Sequence, residues 1–298
     1  MQPYYRLVLG TAQLGIPYGI ANKSGQPDHK TSLSIVRAAW DRGIRIFDTA
    51  HAYGESETVL GACLSKLGLS QQAQIITKLP INIDHLNPQA VKQALGKSLD
   101  LLKIPFLYGL MLHRETLLDD WDKGLKDILG NFIREGRVQK LGVSVYTPSY
   151  AAKAVKTDGI GIIQIPTNIL DQRFYRAGVF ELAEEYKKTI FIRSAFLQGL
   201  ILMKSHELPK NMLYARPILE KIENLSLRFS ISKQEMAMIY LREKYIDAKI
   251  IFGAETLTQV IDNLHCWGKI MPAGFMPEID ETFKNLDERI LNPSLWPQ

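Results

Sequence analysis

Short apolar runs recur along the chain, at Leu7 to Leu9, Ile44 to Phe47, Ile75 to Thr77, Leu107 to Leu112, Leu141 to Val143, Ile160 to Ile165, Ile190 to Ile192 and Ile250 to Phe252. They are continuous rather than alternating, which is the pattern of strands covered on both faces. The segments between them are amphipathic. Residues 31–42 place Leu33, Val36, Ala39 and Trp40 on one helical face. Residues 88–102 open on Asn87-Pro88 and carry Val91, Leu95, Leu99 and Leu102, and residues 256–266 carry Leu257, Val260, Ile261 and Leu264. Strand then helix, repeated along the chain, predicts an α/β protein closed into a (β/α)8 TIM barrel. An open doubly wound sheet gives the same alternation, but its first strand should feed a Gly-x-Gly-x-x-Gly phosphate turn. Leu9-Gly10-Thr11-Ala12-Gln13-Leu14-Gly15 lacks that spacing and shows no helix directly after the strand, so the barrel is favoured.

The length of 298 residues alone would allow two domains, but no Pro/Gly/Ser-rich linker or change of composition divides the chain. Residues 1–298 therefore read as a single barrel domain. Its end, from about 268 and rich in proline (Pro272, Pro277, Pro293, Pro297), reads as a helix and an irregular tail. Two longer connections, 11–30 and 194–212, each follow a strand and so belong at the C-terminal face of the barrel, where such folds place their chemistry.

Composition narrows the class. Hydrophobic residues at 46% and charged residues at 22% exclude disordered and fibrous chains. No apolar stretch is long enough to span a membrane, and Met1-Gln2-Pro3-Tyr4-Tyr5-Arg6 does not open a signal peptide, so the expected location is the cytoplasm. Cys63 and Cys266 are too few and too far apart for a disulfide framework or a zinc site, and no metal is expected. The net charge of +5 is scattered; Lys187-Lys188 is the one Lys-Lys pair and falls at a helix end, which argues against nucleic acid and leaves room for a local anionic ligand.

The polar residues that follow the apolar runs would meet at one mouth of the barrel: Thr11, Asp48, Lys78, His113, Ser144, Gln164, Arg193 with Ser194, and Gly253. Singly, each has an ordinary explanation as a cap, a turn or a solvated loop residue. Together they form a set that barrel stability does not require. Tyr53, just beyond Asp48, completes it. A phenol donates protons poorly near neutrality, but a nearby ammonium such as Lys78 favours phenolate and lowers its pKa. Asp48 can pair with Lys78 and keep it charged, while neutral His113 orients a carbonyl oxygen that Tyr53 protonates. Such a site lacks only hydride, which a nicotinamide or flavin would have to bring.

The stretch Phe47-Asp48-Thr49-Ala50-His51-Ala52-Tyr53-Gly54-Glu55-Ser56-Glu57-Thr58-Val59-Leu60-Gly61 closely resembles the signature of the aldo-keto reductase family. Thr77-Lys78, Leu112-His113 and Gly142-Val143-Ser144 follow at matching spacings, so the resemblance covers nearly the whole chain. It implies a (β/α)8 barrel that binds NADP(H) in an extended pose, with Tyr53 as general acid/base, Asp48 and Lys78 tuning it, and His113 orienting the substrate. It also implies that Thr11 and Asp48 border the cofactor and that Ser144 and Gln164 hold the nicotinamide carboxamide. Arg193, Ser194, Ala195, Phe196 and Lys204 would wrap the nicotinamide and pyrophosphate. Gly253, Glu255, Gln259, Asp262 and Asn263 would bind adenosine at the start of the last barrel helix, where a helix N-terminus suits phosphate.

Three positions depart from the family pattern. Val145 stands where many members carry Asn or Arg, Arg193 where an aromatic often stacks on nicotinamide, and Glu255 where a small hydroxyl residue often meets the 2′-phosphate. NADP(H) is the favoured cofactor of the resemblance, with NAD(H) as the alternative that Glu255 leaves open. The implied activity is reduction of an aldehyde or ketone to an alcohol, or the reverse, on a small-molecule carbonyl or alcohol substrate. The openings at 9–22 and 193–199 resemble a bacterial branch associated with surface sugars, which points to a sugar-derived carbonyl. The alternative function is a nicotinamide-binding regulatory or partner subunit with little turnover. Neither substrate identity nor oligomeric state can be read from the chain.

Overall fold

Residues 4–297 are described by the structure, a computed structural model in which every apolar run becomes a strand. Met1 to Pro3, on which the reading of the N-terminus partly rests, and Gln298 lie outside the described residues. The strands are β1 (Leu7–Gly10), β2 (Ile46–Asp48), β3 (Gln74–Lys78), β4 (Leu107–Leu112), β5 (Val138–Ser144), β6 (Ile160–Pro166), β7 (Thr189–Arg193) and β8 (Lys249–Gly253). They pair in parallel in chain order, and β8 returns to β1 to close the barrel.

The helices in chain order are α1 (Ala12–Gly15), α2 (His29–Asp41), α3 (Ser56–Leu67), α4 (Pro88–Leu102), α5 (Leu125–Arg134), α6 (Pro148–Lys156) and α7 (Arg173–Arg176). They continue with α8 (Val179–Glu185), α9 (Arg216–Phe229), α10 (Lys233–Lys244), α11 (Leu257–Trp267), α12 (Phe275–Thr282) and α13 (Glu288–Leu291). Two apolar layers explain the unbroken runs. Val8, Ile46, Ile76, Met111, Ile162, Phe191 and Ile251 fill the barrel interior, while alternate strand residues such as Leu7, Phe47, Ile75 and Leu110 pack outward against the helices. No helix among the described residues is long and apolar enough to cross a membrane.

Three local expectations are corrected. A single helical turn, α1, does follow β1 after Thr11; it is too short to leave an amphipathic signal. In α11 the buried side is Val260, Asn263, Leu264, Cys266 and Trp267, while Leu257 and Ile261 are 41% and 39% exposed. The face is rotated because the polar Asn263 is drawn inward, accepting a hydrogen bond from Gln234 Nε2 at 2.9 Å. The segment after about 268 is more ordered than an irregular tail. It carries α12 and α13, and Phe275, Ile279, Phe283, Ile290 and Leu291 are buried. Pro277 disguised α12, but it lies in the first turn, where no intrahelical N–H is lost.

A close approach of two glycines sets the turn that carries Tyr53. A Cβ on Gly15 would fall on the carbonyl oxygen of Tyr53, and Gly54, at φ +55°, rests directly on the carbonyl of Gly15. Only at this spacing can α1 lie against the start of α3. Gly15→Ala is therefore expected to cost about 1–3 kcal/mol of stability. A urea unfolding midpoint equal to that of the parent protein would contradict this.

Candidate active site

Asp48 and Lys78 are the last residues of β2 and β3, His113 follows β4 directly, and Tyr53 lies in the turn before α3. Lys78 Nζ donates to Asp48 Oδ1, Asp48 Oδ2 and the Thr49 carbonyl, each at 2.9 Å. Asp48 Oδ1 also accepts from Gln164 Nε2 at 2.7 Å. Lys78 is 1% exposed and Asp48 4%, so both charges have left water and depend on one another. The Lys78 ammonium sits 5.0 Å from the centre of the Tyr53 ring, and the His113 ring meets the same ring edge-on, with centroids 6.2 Å apart at 89°. The four residue types are thus brought together around one phenol.

A hydroxyl network behind them fixes the strand ends. Thr11 Oγ1 donates to the Asp48 carbonyl at 3.0 Å and lies 2.8 Å from Ser56 Oγ, which donates to the Thr11 carbonyl at 2.7 Å. Thr49 Oγ1 is 3.0 Å from the same Ser56 hydroxyl, and Thr77 donates to buried Glu57 at 2.6 Å. Ser56 and Glu57 had no assigned part in the sequence reading. Their place in the first turn of α3, three and four residues after Tyr53, is the signal that could have found them.

The electrostatics correct one expectation. Lys78 was expected to lower the Tyr53 pKa; instead it is raised, first by burial and then by the negative charge of Asp48, with only Arg193 opposing. The reason is burial: taking the phenol out of water disfavours phenolate, and the Asp48 carboxylate adds to that effect. His113 behaves as expected of a neutral imidazole. Burial first, then the charges of Lys78, Arg193 and Arg114, pull its pKa down to about 4. Its Nδ1 is buried without a hydrogen-bond partner.

A cleft of about 360 Å³ leads away from Asp48 and Tyr53. Its wall includes Thr11, Gln164, Arg193, Ser194, Ala195, Phe196, Gly253, Glu255, Gln259, Asp262 and Asn263, all of which the sequence had placed there. Four expected site residues are not part of this wall. Lys78 lies behind Asp48, His113 lies across the Tyr53 ring, and Ser144 is buried beside Gln164 in the β5–β6 register. Lys204 is exposed and off the cleft wall. Met203 and Lys204 run extended into a 3-10 turn at Ser205–Glu207.

Arg193 spans the inner end of the wall. Its guanidinium stacks on Tyr146 at 4.3 Å and donates weakly to Ser194 Oγ at 3.3 Å and to the carbonyl of buried Val145 at 3.4 Å, while Nε has no partner. Beyond it, Ser194, Leu197 and Gln198 all adopt left-handed backbone, a strain that surrounding contacts must hold. One such contact comes from the 11–30 connection, which crosses the cleft as a strap. Ile20 N–H donates to the Gln198 carbonyl at 3.0 Å, and Ser24 Oγ to Glu255 Oε2 at 3.2 Å. Asn22 shapes the strap, its Oδ1 accepting from Ser24 and Gly25 N–H at 3.0 and 2.7 Å. Gln198, within the 193–200 stretch that the resemblance wraps around the cofactor, lines the cleft, and so do Asn22 and Gln234, for which the sequence offers no site role. Gln234 sits one residue inside α10, far from every motif, and leaves no sequence signal.

Comparison with known proteins agrees with this architecture. A sequence profile of the Aldo/keto reductase family matches residues 6–284. The Aldo-keto reductase YhdN of Bacillus subtilis is 25% identical over 210 residues, covering 68% of this chain and 61% of YhdN, so less than two thirds of that relative's length is matched. The Uncharacterized oxidoreductase YqkF of the same organism is 26% identical over 278 residues, covering 86% of this chain and 89% of YqkF. Among solved structures, the holo form of the aldo-keto reductase AKR11C1 from Bacillus halodurans superposes with a TM-score of 0.75 at 20% identity, over 98% of this chain and 94% of that one. At that identity the likeness concerns the fold.

Two outcomes follow from the geometry. Lys78→Met leaves a buried carboxylate without its partner and should destabilise the protein by about 3–5 kcal/mol. A smaller loss than about 1 kcal/mol in urea unfolding would mean that the pair is not buried as described. For His113, the unfolded chain gains a proton near pH 6.5 that the native protein refuses until about pH 4, so stability should fall as pH drops through that window. His113→Gln should flatten this dependence; an unchanged slope would contradict the assignment.

Proposed function

We infer that this chain, which belongs to the aldo/keto reductase family, is an oxidoreductase that reduces an aldehyde or ketone to an alcohol with a nicotinamide dinucleotide, or runs the reverse reaction. The observation that carries this reading is the convergence of Tyr53, His113 and the buried Lys78–Asp48 pair at the inner end of a long cleft. The wall of that cleft suits the cofactor. Gln164 spends its amide N–H on Asp48 and keeps Oε1 buried without a partner, an acceptor matched to the N–H of a carboxamide. The dinucleotide, when bound, supplies the hydride that no side chain can supply.

The remaining work falls to this chain. Tyr53 is the proton donor: its raised pKa keeps the phenol protonated through the neutral range, ready to pass the proton to a carbonyl oxygen as negative charge develops there. The phenolate left behind has the Lys78 ammonium 5.0 Å from its ring centre and feels the positive charge of Arg193. Asp48 holds Lys78 in place and gives its charge a partner in the resting site. His113, neutral down to about pH 4, retains one N–H with which to orient the carbonyl oxygen. In the reverse direction the Tyr53 phenolate accepts the alcohol proton. A mouth bordered by Gln13, Tyr18 and Arg193 favours a polyhydroxylated, sugar-derived carbonyl over an apolar one. The complete proton-handling set favours turnover over a purely regulatory subunit.

Tyr53→Phe removes the proton and little volume. It is expected to lower carbonyl reduction by about 100- to 10,000-fold while dinucleotide binding persists. Steady-state rates alongside fluorescence titration measure both, and retention of full activity would show that another group is the acid.

A further inference from the structure

The cleft is electrically lopsided. Among the residues that line it, Arg193 is the one cation, and it stands at the reactive end, close enough to Tyr53 and His113 to bias both. The opposite end is lined by Glu255, Gln259, Asp262, Asn263 and Gln234. Hydride chemistry at Tyr53 places a nicotinamide at the Arg193 end, so the adenosine of the same dinucleotide must lie at the end with two carboxylates.

Glu255 is held in position there. Its Oε2 accepts from Ser24 of the strap at 3.2 Å, and its backbone N–H donates to Gln259 Oε1 at 2.6 Å. Among the described residues neither Glu255 nor Asp262 has an ion-pair partner, and the lysines nearest in sequence to this end are engaged elsewhere. Lys23 faces Glu207 at 3.6 Å, Lys233 pairs with Glu223 at 3.1 Å and reaches the Met203 carbonyl, and Lys269 faces Glu235 at 3.3 Å. Half-burial without a cation also raises the Glu255 pKa. A ribose 2′-hydroxyl can donate to such a carboxylate, whereas a 2′-phosphate brings like charge against it with no cation among the lining residues at that end.

We propose that this cleft selects NAD(H) over NADP(H), and that Glu255 is the residue that makes the selection, by accepting the 2′-hydroxyl of the adenosine ribose and repelling a phosphate in its place. The assignment rests on the nicotinamide reading of the site and reverses the NADP(H) expectation drawn from family resemblance. Binding alone tests it, without turnover. Purified full-length protein is titrated with NADH and with NADPH, following protein fluorescence quenching and confirming by calorimetry. NADH should bind at least about tenfold more tightly, a difference of about 1.4 kcal/mol. Glu255→Gln should shrink that ratio chiefly by tightening NADPH, and Glu255→Arg should bring it to one or below; Asp262→Asn, farther out and exposed, should change it less. Equal affinities, or tighter NADPH, in the parent protein overturn the selection while leaving the nicotinamide reading intact. An unchanged ratio in both Glu255 variants overturns the role of Glu255. Binding of neither dinucleotide overturns the nicotinamide reading itself, and this proposal with it.

Discussion

The buried contact between Lys78 and Asp48 governs the rest of the site. Taking an ammonium and a carboxylate out of water together is unfavourable unless their remaining hydrogen-bonding capacity is met, and here it is met from three directions. Thr49 offers a carbonyl to Lys78, Gln164 offers an amide to Asp48, and the pair supplies the rest. Those partners come from β2, β3 and β6 and from the residue after β2, so the pair is correct only when the barrel has closed. The same closure sets Tyr53 over Lys78 and His113 against Tyr53. Fold and chemistry are coupled through one ion pair.

This coupling also explains why the phenol and the imidazole shift in opposite senses from their ordinary behaviour. Burial disfavours the charged form of each, which raises an acid such as Tyr53 and lowers a base such as His113. Both therefore rest neutral around a compensated charge pair. Arg193 is the one cation lining this end of the cleft, close enough to lower the pKa of both groups. Farther along the cleft the balance reverses, with Glu255 and Asp262 facing the outer end. One groove thus carries opposite polarity at its two ends, and the strap from residues 11–30 bridges them by holding Gln198 and Glu255 at once.

Much of this was legible in the residue pattern because the barrel imposes it. Strands buried on both faces must be continuously apolar, and the polar residue that ends each run must point to the same mouth; Asp48, Lys78 and Gln164 were found on that ground. What depended on partners from distant segments was not legible. That Gln164 supports Asp48 and that Asn263 turns inward to Gln234 are consequences of tertiary contacts with no local periodicity. The direction of the Tyr53 shift is not legible either, because it turns first on how deeply the phenol is buried, which no motif shows. The C-terminal helices were masked by prolines that sit where helices tolerate them.

The central claim is that hydride and proton meet at the carbonyl beside Tyr53, the proton coming from the phenol. Isotope tracing addresses this directly. The protein is supplied with nicotinamide dinucleotide deuterated at the transferable C4 position, together with glyceraldehyde and an aromatic aldehyde as probe carbonyls, and the alcohols are analysed by mass spectrometry. The account predicts one deuterium on the carbinol carbon, and about 100- to 10,000-fold less of this labelled alcohol when Tyr53 is replaced by Phe over the same interval. Alcohol formed without deuterium, or bound dinucleotide that yields no labelled alcohol from either probe, would contradict it.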